Sequence, residues 1–137
     1  MSRYPRIDLD GALVAVTGAA RGIGLATARA FVEAGAHVAL GDLDGALAEE
    51  AAASLGPRAS GHRLDVTDRE SFAAFLAAAA ERHERPLDVL VNNAGIMPNG
   101  AFLDQADEVD RATMDVNVFG VVYGMRLALP PMVERGR

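Results

Sequence analysis

Thr17-Gly-Ala-Ala-Arg-Gly-Ile-Gly24 is the stretch of this sequence that says most about its fold. It follows a short apolar run, Ala12 to Val16, and opens a helical pattern that continues to Gly35. A strand, a glycine-rich turn and a helix in this order form the setting in which backbone N–H groups bind a pyrophosphate. The stretch therefore predicts a nucleotide-binding turn. A tight strand–helix turn without a ligand is the alternative.

Each glycine of the turn has an expected task. Their spacing is Gly-x-x-x-Gly-x-Gly. We expect Gly18 to let the chain turn sharply out of the strand, Gly22 to leave room for a ligand, and Gly24 to let the helix pack closely on the sheet. The N–H groups at the start of the helix, with Arg21 and Ile23 among them, would then face the ligand together with the positive end of the helix dipole.

An acidic residue follows the second apolar run, His37 to Leu40. A carboxylate at the position of Asp42, about twenty residues after the glycine turn, can accept hydrogen bonds from both hydroxyls of an adenosine ribose. It would repel a 2′-phosphate, and Leu43 brings no positive charge beside it, so we predict NAD. Arg21 in the turn leaves NADP as a less favoured cofactor. The alternative for Asp42 is a helix N-cap, a task that Asp44 could perform.

Strands alternate with helices along the sequence, which is the pattern of an α/β fold with a parallel sheet. The predicted strands are Leu13 to Val16, His37 to Leu40, Gly61 to Leu64 and Leu87 to Val91. We expect a Rossmann-type, doubly wound sheet in the order 3-2-1-4. The sheet would be incomplete, because the apolar fourth strand would form a free edge beside which a fifth strand is expected.

Two details of the helices can also be predicted. Thr67-Asp-Arg-Glu70 has the pattern of a capping box at the start of a helix. A further helical segment is expected from about Asp107 to Val133, with Pro130 and Pro131 bending or ending it. Gly120 and Gly124 on this segment could serve close packing on the sheet or a seam between subunits.

With these residues in hand, the sequence resembles the short-chain dehydrogenase/reductase family from Leu13 to Arg135. Thr17 to Gly24 is similar to the family's cofactor turn, and Asp42 stands where its NAD-preferring members have an acidic residue. Leu64-Asp65-Val66 is similar to the segment at the adenine ring. There the resemblance implies contacts from the Asp65 carboxylate and the Val66 amide.

Two further motifs extend the resemblance. In Asn92-Asn-Ala-Gly95, it implies that Asn92 ties the central strands together and that Ala94 and Gly95 let the cofactor ribose approach the backbone. In Asp115-Val-Asn-Val118, it implies that Asn117 bends its helix and organises a water in the proton relay. Asn117 would be the one catalytic-site member in this sequence. The expected cofactor contacts are Gly18, Arg21, Gly22, Ile23, Gly24, Asp42, Asp65, Val66, Asn92, Ala94 and Gly95.

The family's reacting groups lie beyond the part that is matched. The resemblance implies a serine, and a tyrosine followed four residues later by a lysine, after the segment similar to Met132 to Gly136. This sequence ends at Arg137 and contains no lysine. Neither Tyr4 nor Tyr123 is followed by one, and Tyr123 is expected in packing or in an oligomer contact. We therefore expect an NAD-binding Rossmann domain over residues 1–137, truncated before the fifth strand and inactive alone.

Three functions compete at this point. The first is an oxidoreductase that transfers hydride between NAD and a carbonyl/alcohol substrate, with this chain supplying the cofactor-binding part. The second is a non-catalytic, truncated nucleotide-binding module that lacks the catalytic Ser, Tyr and Lys. The third and weakest is binding of another adenosine cofactor, such as S-adenosylmethionine. For the complete protein, the resemblance implies a homodimer or homotetramer.

Composition excludes several other classes. The net charge is -6, with acids and arginines interspersed, which argues against a nucleic-acid or anionic-membrane surface. Absence of cysteine excludes disulfides, thiolate catalysis and cysteine zinc sites. The three histidines are scattered along the sequence without metal-ligand spacing. No apolar run approaches a membrane span and no signal peptide is evident, so we expect a cytoplasmic protein without a membrane partner or a metal.

Overall fold

Four parallel strands form one sheet, in the predicted order 3-2-1-4. The computed structural model describes residues 8–136 of the chain. Its strands are β1 (Leu13–Thr17), β2 (His37–Asp42), β3 (Ala59–Arg63) and β4 (Val89–Val91). All five residues of β1 are buried, because this strand lies inside the sheet with helices on both of its faces. The predicted α/β class and strand order are confirmed.

Within residues 8–136 there are five α-helices: α1 (Gly22–Glu33), α2 (Gly45–Leu55), α3 (Arg69–His83), α4 (Asp107–Met114) and α5 (Gly120–Arg135). A 3₁₀ turn spans Phe102–Asp104 and a π-helical turn spans Asp115–Phe119.

Successive residues of a strand point to opposite faces of the sheet, and two cores result. Val14 and Val16 of β1 pack in one core with α1 and α2, and Ala15 packs in the other with α3 and α5. The second core contains Phe72 and Phe75 of α3, which are 0% and 2% exposed. Helices on both faces make the sheet doubly wound, as the sequence predicts.

The start of α3 differs from the predicted capping box by one residue. Asp68 is the N-cap, and its carboxylate accepts hydrogen bonds from the backbone N–H groups of Glu70 (2.9 Å) and Ser71 (3.3 Å). The hydroxyl of Thr67 donates instead to Oδ1 of Asp65, at 2.7 Å. Thr67 is therefore occupied by a neighbouring carboxylate, and the next acidic side chain caps the helix.

The prolines of α5 do not end the helix. Pro130 and Pro131 lie inside it, and it continues to Arg135. Both prolines are exposed, so a carbonyl group that loses its helical N–H partner there can bond to water instead. Of the two expected effects of these prolines, ending the helix was wrong for this reason, and bending it stays a prediction.

The two glycines of α5 serve packing within the domain. A Cβ on Gly120 would lie 2.9 Å from the Val66 side chain. A Cβ on Gly124 would lie 2.5 Å from Oδ1 of Asn92 and 2.7 Å from the Phe72 ring. Of the two hypotheses for these glycines, close packing of the helix accounts for both positions.

The segment Asp107–Arg135 is one continuous helix of 29 residues, long and apolar enough by length and composition to cross a membrane. The expectation that no stretch approaches a membrane span was therefore wrong, because α4, the π-helical turn and α5 join without a break. Core helices of globular domains can have the same length and composition. Here Gly120, Gly124 and Ala128 are buried, and α5 packs on α3 and β4.

Candidate functional site

A cleft of about 310 Å³ opens at the carboxyl end of the sheet. It lies between the turn after β1 and the loop after β4, where the strand order reverses, and open α/β sheets bind ligands at this position. Its lining is formed by residues of the glycine turn, the ends of β2 and β3, the loop after β4 and the π-helical turn: Gly18, Arg21, Asp42, Leu43, Leu64, Asp65, Val66, Asn93, Ala94, Gly95, Ile96 and Val116.

The glycines of the turn have different surroundings. Gly18 has a φ of +64°, and a Cβ there would lie 2.9 Å from Cα of Ala94. Gly22, with a φ of +57°, begins α1, and a Cβ there would have no heavy atom within 4 Å. A Cβ on Gly24 would overlap the carbonyl oxygen of Gly18. Gly18 and Gly24 therefore close the turn on its neighbours, whereas Gly22 leaves open space at the start of the helix.

Thr17 and Asn93 fasten the glycine turn to the loop after β4. The buried hydroxyl oxygen of Thr17 accepts hydrogen bonds from the backbone N–H groups of Asn93 (3.0 Å) and Ala94 (2.9 Å). Nδ2 of Asn93 donates in return to the carbonyl oxygens of Thr17 (3.0 Å) and Gly18 (3.1 Å). These four bonds set the distance between the two walls of the cleft.

The tie between the central strands was expected from Asn92. In the structure Asn93 makes it, while Oδ1 of Asn92 lies beside Gly124 of α5. Consecutive residues leaving a strand point to opposite faces, so only one of the two asparagines can reach the glycine turn. Because both have the same side chain, the sequence alone does not tell which one does.

The carboxylate of Asp42 connects β2 to the glycine turn. Its Oδ2 accepts a hydrogen bond from the N–H of Ala20 at 3.1 Å, and its Oδ1 accepts one from the N–H of Asp44 at 3.2 Å. The N-cap of α2 is Asp44, whose Oδ1 accepts from the N–H of Leu47 at 3.0 Å. Asp44, and not Asp42, therefore caps α2, and Asp42 lines the cleft.

Asp65 and Val66 form the wall of the cleft after β3. Oδ1 of Asp65 accepts from the backbone N–H of Thr67 (3.0 Å) as well as from its hydroxyl. The backbone N–H of Asp65 donates to the hydroxyl of Ser71 on α3 at 3.0 Å. Val66 is 8% exposed and packs beneath Gly120 of α5, so this wall is fixed by α3 and α5 together.

Asn117 lies in the π-helical turn and holds the loop after β4. Its Oδ1 accepts from the N–H of Ile96 at 2.9 Å, and its Nδ2 donates to the carbonyl oxygen of Ile96 at 2.8 Å. The π-helical turn interrupts the regular helix at the position where the sequence predicts a bend, and such turns often occur at functional sites.

The structure brings most of the expected contact residues to one cleft, but not all of them. Gly18, Arg21, Asp42, Asp65, Val66, Ala94 and Gly95 line it, while Gly22, Ile23, Gly24, Asn92 and Asn117 do not. Ile23 is 79% exposed. Sequence reasoning missed Asn93, Leu43, Ile96 and Val116 as lining residues, and it missed Thr17 as the acceptor that holds the loop. In the sequence, these residues could have been found only through their positions in or beside the motifs.

The cleft carries the acidic groups of Asp42 and Asp65 and the basic group of Arg21. Within residues 8–136, no group of three or more His, Asp or Glu side chains is placed to hold a metal ion. What the cleft offers a ligand is therefore backbone N–H groups at a helix start, carboxylates at strand ends and a wall of small residues.

Comparison with known proteins identifies the family. The family model described as short chain dehydrogenase matches residues 12–137. The chain is 43% identical over 136 residues to "Probable oxidoreductase EphD" of Mycobacterium tuberculosis, covering 96% of this chain and 23% of that protein. It is 37% identical to galactitol 2-dehydrogenase of Agrobacterium fabrum, covering 94% of this chain and 50% of that protein.

A solved structure agrees with the sequence comparison. A short-chain dehydrogenase from Novosphingobium aromaticivorans superposes with a TM-score of 0.87 at 32% identity, covering 93% of this chain and 48% of that one. The chain thus spans half or less of the length of the relatives it matches. The strand order, the glycine turn and the family match lead to one conclusion: the chain belongs to the short-chain dehydrogenase/reductase family of oxidoreductases.

Proposed function

We propose that this chain is the cofactor-binding part of an oxidoreductase that transfers hydride between NAD and a carbonyl/alcohol substrate. The observation that carries the proposal is the single cleft in which the glycine turn, Asp42 and the loop Ala94–Gly95 meet. Family membership gives the reaction class, since the chain matches the short-chain dehydrogenase model over residues 12–137.

The residues of the cleft fit a dinucleotide. The space beside Gly22 is free of protein atoms at the start of a 12-residue helix, where N–H groups and the helix dipole favour a pyrophosphate. The turn of Gly18 and Gly22 would hold the pyrophosphate, with Arg21 and Ile23 beside it, while Gly24 lets α1 pack closely behind the turn. Asp65 and Val66 would hold the adenine. Ala94 and Gly95 would form the wall along the nicotinamide ribose, and Asn92 would support that loop from the side of α5.

Asp42 supports NAD over NADP. Its carboxylate lies at the end of β2 and lines the cleft, where it can accept hydrogen bonds from ribose hydroxyls and would repel a 2′-phosphate. Arg21 also lines the cleft, which makes it the residue that could accommodate NADP. Leu43 next to Asp42 adds no positive charge, so the balance favours NAD.

Bound NAD supplies the hydride acceptor, and the protein positions it. Asn117 holds the backbone of Ile96 at both its N–H and its carbonyl group, so it fixes the loop that borders the cleft. In the proposed enzyme, Asn117 also organises a water in the proton relay. The resemblance implies that the reacting serine, tyrosine and lysine follow the matched segment, and residues 1–137 contain no lysine. Residues 1–137 alone are therefore proposed to be inactive.

The complete protein is proposed to be a cytoplasmic homodimer or homotetramer without a membrane or nucleic-acid partner. Met125, Leu129 and Val133 of α5 are exposed at 48%, 45% and 75%. An apolar face of this kind is typical of a protein contact. The same apolar residues explain why Asp107–Arg135 resembles a membrane span in composition, and we propose that they pack against protein.

Calorimetric titration of the chain with NAD, NADP and S-adenosylmethionine tests the cofactor. We expect NAD to bind most tightly. Asp42→Ala should weaken NAD binding by about tenfold or more, because hydrogen bonds to a charged group are worth about 1.5–3 kcal/mol. The affinities of this variant for NAD and NADP should also differ less than those of the wild type. Asp44→Ala is the control, since Asp44 caps α2. An unchanged NAD/NADP ratio in Asp42→Ala would refute the role of that carboxylate, and preferential binding of S-adenosylmethionine would refute NAD.

The second candidate is a nucleotide-binding module without catalysis, which the absence of lysine from the sequence favours. It predicts NAD binding without turnover. Incubating residues 1–137 with NAD and a panel of alcohols, and following nicotinamide reduction by absorbance, tests it. Hydride transfer above background would exclude this candidate.

A further inference from the structure

Three histidines that are far apart in the sequence meet at the amino end of the sheet. Nε2 of His83 and Nε2 of His62 each lie 2.8 Å from Oγ of Ser60. Nδ1 of His83 lies 3.3 Å from Nδ1 of His37. We call these four residues the histidine–serine network. The three histidines are scattered along the sequence, but they lie together in the structure.

The histidine–serine network fastens the last turn of α3 to two strands. His83 is the last residue of α3 and is 6% exposed; His37 begins β2, and Ser60 lies in β3 and is 9% exposed. His37 lies at the end of β2 opposite Asp42, whereas His62 lies beside Gly41 in the pairing of β3 with β2.

The network holds three hydrogen bonds, and each needs one proton between its two atoms. With all three imidazoles neutral, the bonds can run from His37 through His83 and Ser60 to His62, or in the reverse direction. A neutral imidazole has one N–H and one acceptor nitrogen, and the hydroxyl donates once. Both arrangements therefore satisfy every nitrogen that faces a partner.

One added proton also fits. If His83 is protonated, its Nδ1 donates to His37, its Nε2 donates to Ser60, and the Ser60 hydroxyl donates to His62. If His37 or His62 is protonated, all bonds run away from that end of the network. In each case the three bonds remain, because a protonated imidazole donates from both nitrogens.

A second proton does not fit without a loss. With His37 and His62 both protonated, His83 accepts at Nδ1 and donates from Nε2, so Ser60 Oγ accepts from both His83 and His62. The Ser60 hydroxyl hydrogen is then displaced and has no acceptor within the network, and the same holds when His62 and His83 are protonated. Protonated His83 beside protonated His37 would place two N–H groups against each other across 3.3 Å. Two protons therefore leave a polar group unsatisfied in a buried place, which costs about 1–3 kcal/mol.

The groups around the network also oppose protonation. Burial, with smaller contributions from His37, Arg82, His62 and Arg85, lowers the pKa of His83 to about 4. Burial and then Arg85, Arg58 and Arg82 lower the pKa of His37. Burial lowers the pKa of His62; Glu49 of α2 raises it, and Arg82 lowers it. Arg85 is itself fixed, since its Nε donates to the carbonyl of His83 and its Nη1 to that of Gly11.

We propose that the histidine–serine network is an acid-sensitive fastening of α3: it holds the C-terminal turn of the helix on β2 and β3 while at most one of its imidazoles is protonated, and it releases that turn when a second is protonated. Once the turn is released, its three histidines are exposed to water and can all be protonated. Because the closed network holds at most one added proton, opening in mild acid takes up about two protons.

Hydrogen–deuterium exchange of peptides covering residues 76–85, followed by mass spectrometry between pH 7.5 and 4.5, tests the proposal. Protection, corrected for the intrinsic exchange rate at each pH, should fall by up to about 100-fold per pH unit below pH 6, because uptake of two protons gives that slope. A peptide covering β1 serves as the internal reference. Protection of residues 76–85 that does not change with pH relative to β1 would overturn the proposal.

The matched variant is His37→Gln/His62→Gln. A glutamine amide donates and accepts but takes no proton, so only His83 can be charged and a single proton fits. The slope should fall to about tenfold per pH unit or less. A slope equal to that of the wild type would contradict the two-proton mechanism.

NMR titration of the wild-type imidazoles is a second test, which does not depend on the folding of a variant. We expect at most one histidine to titrate near the ordinary pKa of about 6.5 while the network is intact. Three independent titrations near that value, with α3 still protected, would overturn the proposal.

Discussion

The carboxyl end of the sheet is held by backbone groups and short side chains, whereas its amino end is held by long, titratable side chains. At the cleft, Thr17 and Asn93 bond to backbone N–H and carbonyl groups that carry no charge. At the opposite end, His83 depends on partners that exist in two protonation states. The bonds that join Thr17 to Asn93 across the cleft therefore involve no titratable group, whereas the bonds that join the end of α3 to the sheet do.

The largest expected effect comes from the cleft. Gly22→Val should reduce NAD binding below detection, because the side chain would fill the space at the start of α1 and the φ of +57° disfavours valine. Gly56→Val is the matched control, since Gly56 also has a positive φ (+98°) and open surroundings but lies after α2. Calorimetric titration with NAD measures both. Equal loss of binding in the two variants would mean that backbone strain, and not the cleft, is responsible.

The walls of the cleft should be the next most sensitive feature. Thr17→Val leaves the N–H groups of Asn93 and Ala94 without their acceptor. The free energy of unfolding should fall by about 2–6 kcal/mol, since each of the two unsatisfied groups costs about 1–3 kcal/mol. Urea denaturation at pH 7.5 measures the change. Thr17→Ser keeps the hydroxyl and should lose much less. A similar loss in both variants would show that the methyl group matters and the hydrogen bonds do not.

The amino end should differ from the cleft in its pH dependence. The pKa of His83 is about 4 in the folded protein, against an ordinary value of about 6.5 for histidine. A lowered histidine pKa means that the unfolded state binds more protons, so this stabilisation is complete above pH 6.5 and is lost as the pH falls towards 4. The loss amounts to about 3 kcal/mol. Urea denaturation of the wild type and of His83→Gln at several pH values isolates the contribution of His83, because the carboxylates titrate in both proteins. Parallel pH profiles of the free energy of unfolding would refute this contribution.

The smallest effect is expected at the rim of the cleft. Asn117→Ala removes both bonds to Ile96, and because the site is exposed the free energy of unfolding should fall by only about 1 kcal/mol. The loop after β4 should become less protected in hydrogen exchange. Asn99→Ala in the same exposed loop is the control. Unchanged protection around Ile96 in Asn117→Ala would contradict its role in holding the loop.

Much of the cleft could be predicted because its residues act through local sequence. Gly18 is needed by a turn and Asp42 follows an apolar run, so both were found from their neighbours, whereas Asn117, which lies outside the cleft lining, was found through the family resemblance. The choice between Asn92 and Asn93, the cap of α3 and the continuation of α5 past Pro130 could not be predicted. In each case two options are locally equivalent, and contacts with a distant segment decide between them.

The sequence by itself determined the α/β class and the place of the nucleotide turn, because hydrophobic periodicity and glycine spacing act over a few residues. The strand order was predicted from the handedness rule and the usual order of such sheets. Only the tertiary structure decided that Thr17 holds Asn93 and Ala94 across 76 and 77 residues. It also decided that His37, His62 and His83 share one network through Ser60. No motif with a fixed spacing marks either arrangement in the sequence. The parallel sheet brings these residues together, and the helices and loops between the strands determine how far apart they are along the chain.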